Sequence, residues 1–152
     1  MAVDLADMIH KGGVFYSVEG DTPETIYQNV TDLMNLPEGV DKTTVYEALC
    51  AREKIMSTAV GNGVALPHAR SSILKDESDQ RIAVVYLNKP IDMNAPDGIK
   101  VHVMFVLLTH NPQTHLQILS SLAGLFQNQK FKNLLENHAP EEELLAAIKE
   151  IA

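Results

Sequence analysis

The chain has 152 residues, and its composition of 45% hydrophobic and 21% charged residues is that of an ordinary globular domain with an apolar core. Its 20 acidic residues outnumber its 12 lysines and arginines, so the formal net charge is -8. This acidity argues against binding of nucleic acid, which requires a basic face, and against adsorption to anionic membranes. The longest apolar run, 103–108, is far shorter than the roughly 20 residues that cross a bilayer.

The first third of the chain predicts one strand followed by two helices. Val14, Tyr16 and Val18 alternate with Phe15 and Ser17, which indicates a short strand. Thr22 followed by Pro23 is typical of an N-cap and a first helical position, so a helix is predicted to begin there. A second helix is predicted from about Asp41 to Met56.

The rest of the chain predicts strands and then helices. Strands are predicted at 64–67, 81–87 and 99–108, and the last is apolar enough to be covered on both faces. Thr114 and Gln117 match a capping box, so a helix is predicted to begin at Thr114. The residues predicted to face the core from this helix are Leu116, Leu119, Ala123 and Phe126. Two further helices are predicted around 131–137 and 140–151.

Helices and strands alternate on short connections, and no repeat or linker interrupts them. This order predicts an α/β fold in which a mixed β-sheet is sandwiched by helices, as a single domain over residues 1–152. The N-terminal segment has no apolar stretch of signal-peptide length, and Cys50 has no second cysteine with which to form a disulfide. We therefore expect a cytoplasmic protein that is not inserted in the membrane.

Arg52 stands out because it falls on the predicted apolar stripe of the helix at 41–56. The stripe contains Val45, Leu49 and Met56, and Arg52 lies seven residues after Val45. A guanidinium on a core-facing stripe requires either an anionic partner or a route to water. Two interpretations follow. In the first, Arg52 is an anion-binding residue; in the second, its side chain reaches solvent near the helix C-terminus and complements the helix dipole.

Two histidines occupy positions where an imidazole can do chemistry. His115 lies in the first turn of a predicted helix, where a neutral imidazole can bond a phosphoryl or oxyanion group, although it can equally be a surface residue. His68 follows Pro67 at the predicted end of a strand, downstream of Gly61 and Gly63. An imidazole held at such a strand end is suited to nucleophilic attack or to metal ligation.

Several other chemistries lack the required patterns. The six histidines include no H-x-x-x-H pair and no Cys/His cluster of zinc-finger spacing, so no metal is predicted. The chain also lacks the G-x-S-x-G elbow of a serine hydrolase and the G-x-x-x-x-G-K-[ST] loop of a nucleotide-triphosphate site. No cofactor is therefore predicted. Cys50, beside Leu49 on a helix, is interpreted as a packing residue.

Three segments together resemble a known family. "AREKIMSTAVGNGVALPHAR" (51–70), "APDGIKVHVMFVLL" (95–108) and "THLQILSSLAGLF" (114–126) are similar to the fructose/mannitol-type enzyme IIA domains of the bacterial phosphoenolpyruvate-dependent phosphotransferase system. The shared pattern is an R-E pair, a G-x-G-x-A-x-P-H signature, a D-G turn and an H-L near a helix start. The R-E-K segment and the G-N-G turn resemble most closely the nitrogen-regulatory branch of this family, whose fold is a mixed sheet sandwiched by helices.

The resemblance implies a role for each residue that matches the family pattern. His68 would accept a phosphoryl group from phospho-HPr, His115 would hydrogen-bond and orient that group, and Arg52 would stabilise its charge. No magnesium ion or nucleotide is implied, and Asp97 with Gly98 would shape a turn. Further candidates for lining the phosphate pocket are Thr58 and the backbone around Asn62 and Gly63.

The resemblance leaves two functions open. In one, the protein is a phosphocarrier with a regulatory role, and its phosphorylation state governs binding to a target protein. In the other, it is a sugar-specific carrier that passes the phosphoryl group to a separate enzyme IIB of a fructose- or mannitol-like permease. The nitrogen-type features favour the regulator.

Overall fold

A computed structural model describes residues 4–69 and 73–151. Within these residues the chain forms strands, α-helices and one short 3-10 turn at Glu77–Asp79. The strands are β1 (Val14–Val18), β2 (Ala59–Gly61), β3 (Val64–Ala65), β4 (Arg81–Ile91) and β5 (Val101–Leu108). The helices are α1 (Leu5–Gly12), α2 (Pro23–Leu33), α3 (Lys42–Ile55), α4 (Pro112–Phe126), α5 (Gln129–Glu136) and α6 (Glu141–Ile151).

The strands form one mixed sheet in the order β1-β4-β5-β3-β2. Strands β4 and β5 form an antiparallel pair at its centre, β1 adds to β4 in parallel, and β3 adds to β5 in parallel. Strand β2 closes the other edge as the antiparallel partner of β3. The prediction of a mixed sheet is confirmed.

Both faces of the sheet are covered by helices, as predicted. Side chains of β5 alternate between the two faces because successive residues of a strand point to opposite sides. Phe105 belongs to a core cluster with residues of α1, α4, α5 and α6, whereas its neighbour Met104 belongs to a second cluster with residues of α2 and α3. Burial on both faces explains why this strand reads as an almost unbroken apolar run.

The predicted starts of α2 and α3 are confirmed, because Thr22 and Asp41 are N-caps whose side chains accept backbone N–H groups. Helix α4, however, begins at Pro112 and not after Thr114. The Asn111 side chain accepts the Thr114 N–H at 2.8 Å, and Pro112 occupies the first helical position, so 111–113 belong to the helix start and not to a loop.

This earlier start accompanies a different buried face of α4 from the one predicted. Ile118, Leu122 and Leu125 are buried, whereas Leu116 is 66% exposed and Ala123 is also exposed. Leu119 and Phe126 do pack against the core, so the prediction is right for these two residues and wrong for Leu116 and Ala123. The apolar residues of α4 are too numerous to select one stripe from the sequence alone. Helix α1 and strand β2 were also not predicted.

None of the helices within residues 4–69 and 73–151 combines the length and apolar character needed to cross a bilayer.

Candidate functional site

His68 lies just beyond β3, where the chain continues alongside β5. Its backbone forms a parallel bridge with Leu107, and the Leu107 N–H donates to the Pro67 carbonyl at 2.9 Å. Pro67 fixes its own φ and has no N–H to offer, so regular strand pairing stops here. The half-buried His68 ring is thus held at the end of the sheet, as the sequence predicts.

The hydrogen bond of the His68 ring assigns its tautomer. Nδ1 lies 2.7 Å from the carbonyl oxygen of Leu66, and since a carbonyl only accepts, Nδ1 must carry the proton. Burial lowers the pKa of His68; the bond to Leu66 and the charge of Glu53 oppose this effect, and the charge of Arg52 adds to it. The ring is therefore neutral near pH 7, and its Nε2 keeps the lone pair of a nucleophile.

His115 faces His68 from the first turn of α4. The two ring centroids are 4.6 Å apart, and the ring planes are tilted by 46°. The Nδ1 atom of His115 lies 3.3 Å from the hydroxyl of Thr109. Burial, followed by the charges of His68 and Arg52, lowers the pKa of His115 to about 4. Two neutral imidazoles therefore stand side by side at the end of the sheet.

Arg52 lies near the C-terminus of α3, and its Nη1 donates to the carbonyl of Met56 at 2.6 Å. Met56 is 68% exposed, so the apolar stripe of α3 ends at Leu49 and the predicted place of Met56 on that stripe is wrong. In this conformation Arg52 follows the second interpretation, because it caps the helix end. Its charge nevertheless lowers the pKa of both His68 and His115, which puts the guanidinium within electrostatic range of the two rings.

Thr58 is buried beneath the site and is bonded to Glu53. Its N–H and its hydroxyl donate to the two carboxylate oxygens of Glu53 at 2.9 and 2.7 Å. The Thr58 carbonyl accepts the Leu66 N–H at 2.9 Å, so Thr58 is joined through one residue to the group that orients His68. Thr58 therefore supports the segment that holds His68, and its hydroxyl is bonded to Glu53.

Asn62 and Gly63 lie at the far end of the sheet from His68. The Asn62 N–H donates to a carboxylate oxygen of Asp97 at 2.8 Å, and the Gly63 carbonyl accepts N–H groups at the start of β5. His68 instead lies beside Leu107, near the end of β5. The structure thus does not bring these two residues to His68. It does confirm the predicted turn, because Asp97 also accepts the N–H of Ile99 at 3.1 Å.

Two residues of the site were not predicted. Glu53 accepts both donors of Thr58, and the R-E pair in the sequence was the only signal that pointed to it. Thr109 contacts Nδ1 of His115, and nothing in the sequence distinguished it from any other residue that ends a strand.

Three large apolar side chains are mostly exposed at the C-terminal end of α3 and in the first turns of α4: Ile55, Met56 and Leu116.

His102 and His138 do not belong to this site, and no metal centre is found near it in the described residues. Among the described residues, no group of three or more histidine, cysteine, aspartate or glutamate side chains is arranged to hold a metal ion. His102 and His138 are bonded to each other beside a cleft of about 800 Å³, which is also lined by Asn62 and Lys132 and does not include His68. Cys50 is buried in the core cluster of α2 and α3, as interpreted from the sequence.

Comparison with known proteins points to one family. The model of the family described as "Phosphoenolpyruvate-dependent sugar phosphotransferase system, EIIA 2" matches residues 7–151. The chain is 33% identical over 150 residues to the nitrogen regulatory protein of Pseudomonas aeruginosa, a match that covers 96% of this chain and 94% of the relative.

Solved structures agree with this match. The crystal structure of the nitrogen regulatory protein IIA-Ntr from Neisseria meningitidis superposes with a TM-score of 0.81 at 29% identity, covering 94% of this chain and 97% of that one. Enzyme IIA of the mannitol system from Escherichia coli, solved in complex with phosphorylated enzyme IIB, has the same fold. There the TM-score is 0.62 at 16% identity, covering 88% of this chain and 94% of the other.

Proposed function

The chain belongs to the EIIA 2 family of the phosphoenolpyruvate-dependent sugar phosphotransferase system, and from this we propose that it is a phosphocarrier whose acceptor atom is Nε2 of His68. One observation carries the proposal. The Leu66 carbonyl holds the proton on Nδ1, so the neutral ring presents an unprotonated Nε2 beside a second neutral imidazole. An imidazole in this state is a competent nucleophile for a phosphoryl group.

The transfer step conserves atoms and charge without a metal or a nucleotide. The Nε2 lone pair attacks phosphorus, the bond between phosphorus and the donor's imidazole nitrogen breaks, and the donor nitrogen keeps that electron pair. The attack leaves a positive charge on the His68 ring. The Leu66 carbonyl, 2.7 Å from Nδ1, stabilises this charge because it already accepts the ring N–H.

His115 and Arg52 supply the charge stabilisation that such a transfer requires. The transition state is loose and spreads negative charge over the phosphoryl oxygens, so positioned donors contribute most of the catalysis. With its Nδ1 facing the Thr109 hydroxyl, His115 can turn a Nε2–H toward the phosphoryl oxygens. Arg52 would exchange the Met56 carbonyl, which it now bonds at 2.6 Å, for a phosphoryl oxygen.

We further propose that the donor is phospho-HPr and that the acceptor is either an enzyme IIB or a regulated target protein. The exposed side chains of Ile55, Met56 and Leu116 offer apolar contact area for a docking protein beside the two histidines. The family assignment and the complex of the mannitol-type protein with its enzyme IIB support protein partners. The names of the Pseudomonas and Neisseria relatives favour a nitrogen-regulatory role over transport of one sugar.

The test is intact mass after incubation with phosphoenolpyruvate, enzyme I and HPr. We expect an acid-labile gain of one phosphoryl group, its complete loss in His68→Ala, and its retention in the control His138→Ala. A full gain in His68→Ala would overturn the assignment. Copurification with an enzyme IIB would favour the transport carrier, and a complex with an unrelated protein that depends on phosphorylation would favour the regulator.

A further inference from the structure

Near His68 lies a carboxylate, that of Glu53, whose hydrogen-bond partners within residues 4–69 and 73–151 are all neutral. Glu53 accepts the Tyr27 hydroxyl at 2.5 Å, the Thr58 N–H at 2.9 Å and the Thr58 hydroxyl at 2.7 Å. Among the described residues no lysine, arginine or histidine forms an ion pair with it. Tyr27 is fully buried and Thr58 is only 4% exposed, so the half-buried Glu53 carboxylate is bonded to groups that belong to the protein interior.

The cluster is connected to the reacting ring by two further hydrogen bonds. The Thr58 carbonyl accepts the Leu66 N–H at 2.9 Å, and the Leu66 carbonyl accepts from His68 Nδ1 at 2.7 Å. Helix α3 is thereby joined to the His68 imidazole through Glu53, Thr58 and Leu66. A displacement of Thr58 would move the carbonyl that selects the tautomer of His68.

We propose that Glu53 is a positioning residue for phosphoryl transfer, which acts by fixing Thr58 and, through it, the Leu66 carbonyl that keeps Nε2 of His68 unprotonated. The inference rests on the proposed function of His68. It goes beyond that function because Glu53 touches neither the reacting nitrogen nor the phosphoryl group, and its role is to set the state of the nucleophile.

The chemistry of the three donors explains why a carboxylate occupies this position. Two acceptor oxygens with four lone pairs can serve all three donors at once, and a charged acceptor forms shorter and stronger hydrogen bonds than a neutral one. Glutamine has nearly the same volume as glutamate, so it fits in the same space. The hydroxyls of Tyr27 and Thr58 can rotate to accept hydrogen bonds from its amide group. Glu53→Gln thus keeps the packing and weakens the anchoring of Thr58.

The charge of Glu53 provides a second effect on the same ring. It opposes the lowering of the His68 pKa by burial, and it would favour the positive ring that forms on phosphoryl attack. If Glu53 only held α3 against β2, its replacement in a folded variant would change neither the tautomer nor the pKa of His68. These two quantities therefore separate positioning from simple structural support.

The experiment measures the His68 ring nitrogens by 15N NMR in the unphosphorylated full chain, across a pH titration. In the wild type we expect the Nδ1-protonated tautomer almost alone. In Glu53→Gln and Thr58→Val we expect a mixture of tautomers, and in Glu53→Gln also a lower pKa of His68. Thr58→Ser retains both donors and should restore the wild-type ratio, and Glu47→Gln removes an exposed acid from the same helix as a matched control.

The rate of phosphoryl gain is then measured in the same variants by quenched intact mass. We expect about a tenfold to hundredfold slower gain in Glu53→Gln and Thr58→Val, as for other supporting residues of a reacting group, and no change in Thr58→Ser or Glu47→Gln. Should Glu53→Gln fail to fold, the Thr58→Val and Thr58→Ser pair tests the same path.

Two outcomes decide the inference independently of the proposed function. An unchanged tautomer ratio and pKa of His68 in folded Glu53→Gln, or an unchanged ratio in Thr58→Val, would overturn it. If the tautomer shifts while the wild type gains no phosphoryl group, the positioning of the His68 ring stands and the proposed function fails.

Discussion

Two pairs of neighbouring histidines in this molecule differ in what their ring nitrogens bond. In one pair, His102 Nδ1 and His138 Nε2 are 3.2 Å apart and form a hydrogen bond, in which one ring donates and the other accepts. One nitrogen of each ring is therefore bonded to the other ring. Their centroids are 5.4 Å apart and their planes differ by only 14°, which places the rings nearly edge to edge. His138 also stacks on Tyr86 at a centroid distance of 4.4 Å.

His68 and His115 lie closer together, with centroids 4.6 Å apart, but they do not bond each other. The Nδ1 of each ring faces an oxygen of its own, the Leu66 carbonyl for one and the Thr109 hydroxyl for the other. Neither Nε2 atom has a hydrogen-bond partner in the described part of the chain, so both can face a ligand. A separate oxygen partner for each Nδ1 distinguishes the pair that we propose to be reactive, His68 and His115, from the packing pair, His102 and His138.

The pKa values of the four histidines do not distinguish the two pairs. Burial is the largest cause of a lowered pKa for His68 and His115, and it is equally the largest cause for His102 and His138. A search for perturbed histidines would therefore find both pairs. The difference lies in which atoms face each other, and that difference can be tested by variants of the two pairs.

The largest expected difference between the pairs is kinetic. We expect His115→Ala to gain the phosphoryl group about a hundredfold more slowly than the wild type, because it loses one positioned donor to the phosphoryl oxygens. His138→Ala is the matched control and should keep the wild-type rate. A quenched time course of intact mass measures both. Equal slowing in the two variants would contradict the division into a reactive and a packing pair.

The packing pair should respond to a change in its neighbour Gly63. A Cβ at this position would lie 2.5 Å from the His102 ring, and the φ of +81° is strained for any other residue. We expect Gly63→Ala to lower the free energy of unfolding by about 2–3 kcal/mol without a change in the rate of phosphoryl gain.

Chemical unfolding measures this loss, and Gly124→Ala provides the control. Gly124 lies within α4, and a Cβ there would meet nothing within 4 Å, so the variant should stabilise the helix by about 0.5–1 kcal/mol. The double variant Gly63→Ala/His102→Ala removes the clash. Its loss should be smaller than the sum of the two single losses, and strict additivity would show that His102 is not what Gly63 accommodates.

The reactive pair should instead be visible in the pH dependence of stability. The pKa of His115 falls from its ordinary 6.5 to about 4 on folding, so between these values the unfolded chain binds a proton that the folded chain does not. Stability therefore decreases as the pH falls from 6.5 to 4. Because the ring is half-buried and screened by solvent, we expect a contribution of about 1–2 kcal/mol.

Unfolding in urea at pH 7.5 and at pH 4.5 measures this contribution. His115→Gln carries no titrating group and should lose less stability between the two pH values than the wild type does. His68 and Arg52 face His115 and remain in both proteins, so their effects largely cancel in the difference. An identical loss in the two proteins would mean that His115 is protonated as easily in the folded chain as in the unfolded one.

The sequence predicted four of the five strands and most of the helices because their signals are local. The apolar run of β5 and the capping residues of α2 and α3 are each determined within a few positions of the chain. The resemblance supplied Arg52, His68 and His115 as one set, and the structure brings the two histidines together with Arg52 within electrostatic range.

Long-range pairing explains what the sequence did not predict. Asn62 and Gly63 are only a few residues from His68, but β3 carries the chain along the sheet and separates them from it. Glu53 and Thr58 become a pair only when the chain turns from α3 into β2. The contact of His102 with His138 joins residues 36 positions apart, and no periodic pattern predicts it.

The smallest expected effect concerns His138, where two contributions nearly cancel. Its φ of 49° is in the left-handed region, so His138→Gly relieves about 1 kcal/mol of backbone strain. The same change removes the bond to His102 and the stack on Tyr86, a loss of about 1–2 kcal/mol. We expect a net destabilisation below about 1 kcal/mol, measured by chemical unfolding.

A double-mutant cycle between His102→Ala and His138→Gly separates these two contributions. Strain relief at His138 is independent of His102, whereas the hydrogen bond is lost only once, so the two changes should be coupled by about 1 kcal/mol. A coupling of zero would mean that the two rings do not share a proton in solution. His102 and His138 would then each have a nitrogen free for a ligand. In that case hydrogen bonding would no longer distinguish this pair from His68 and His115, the pair that we propose to be reactive.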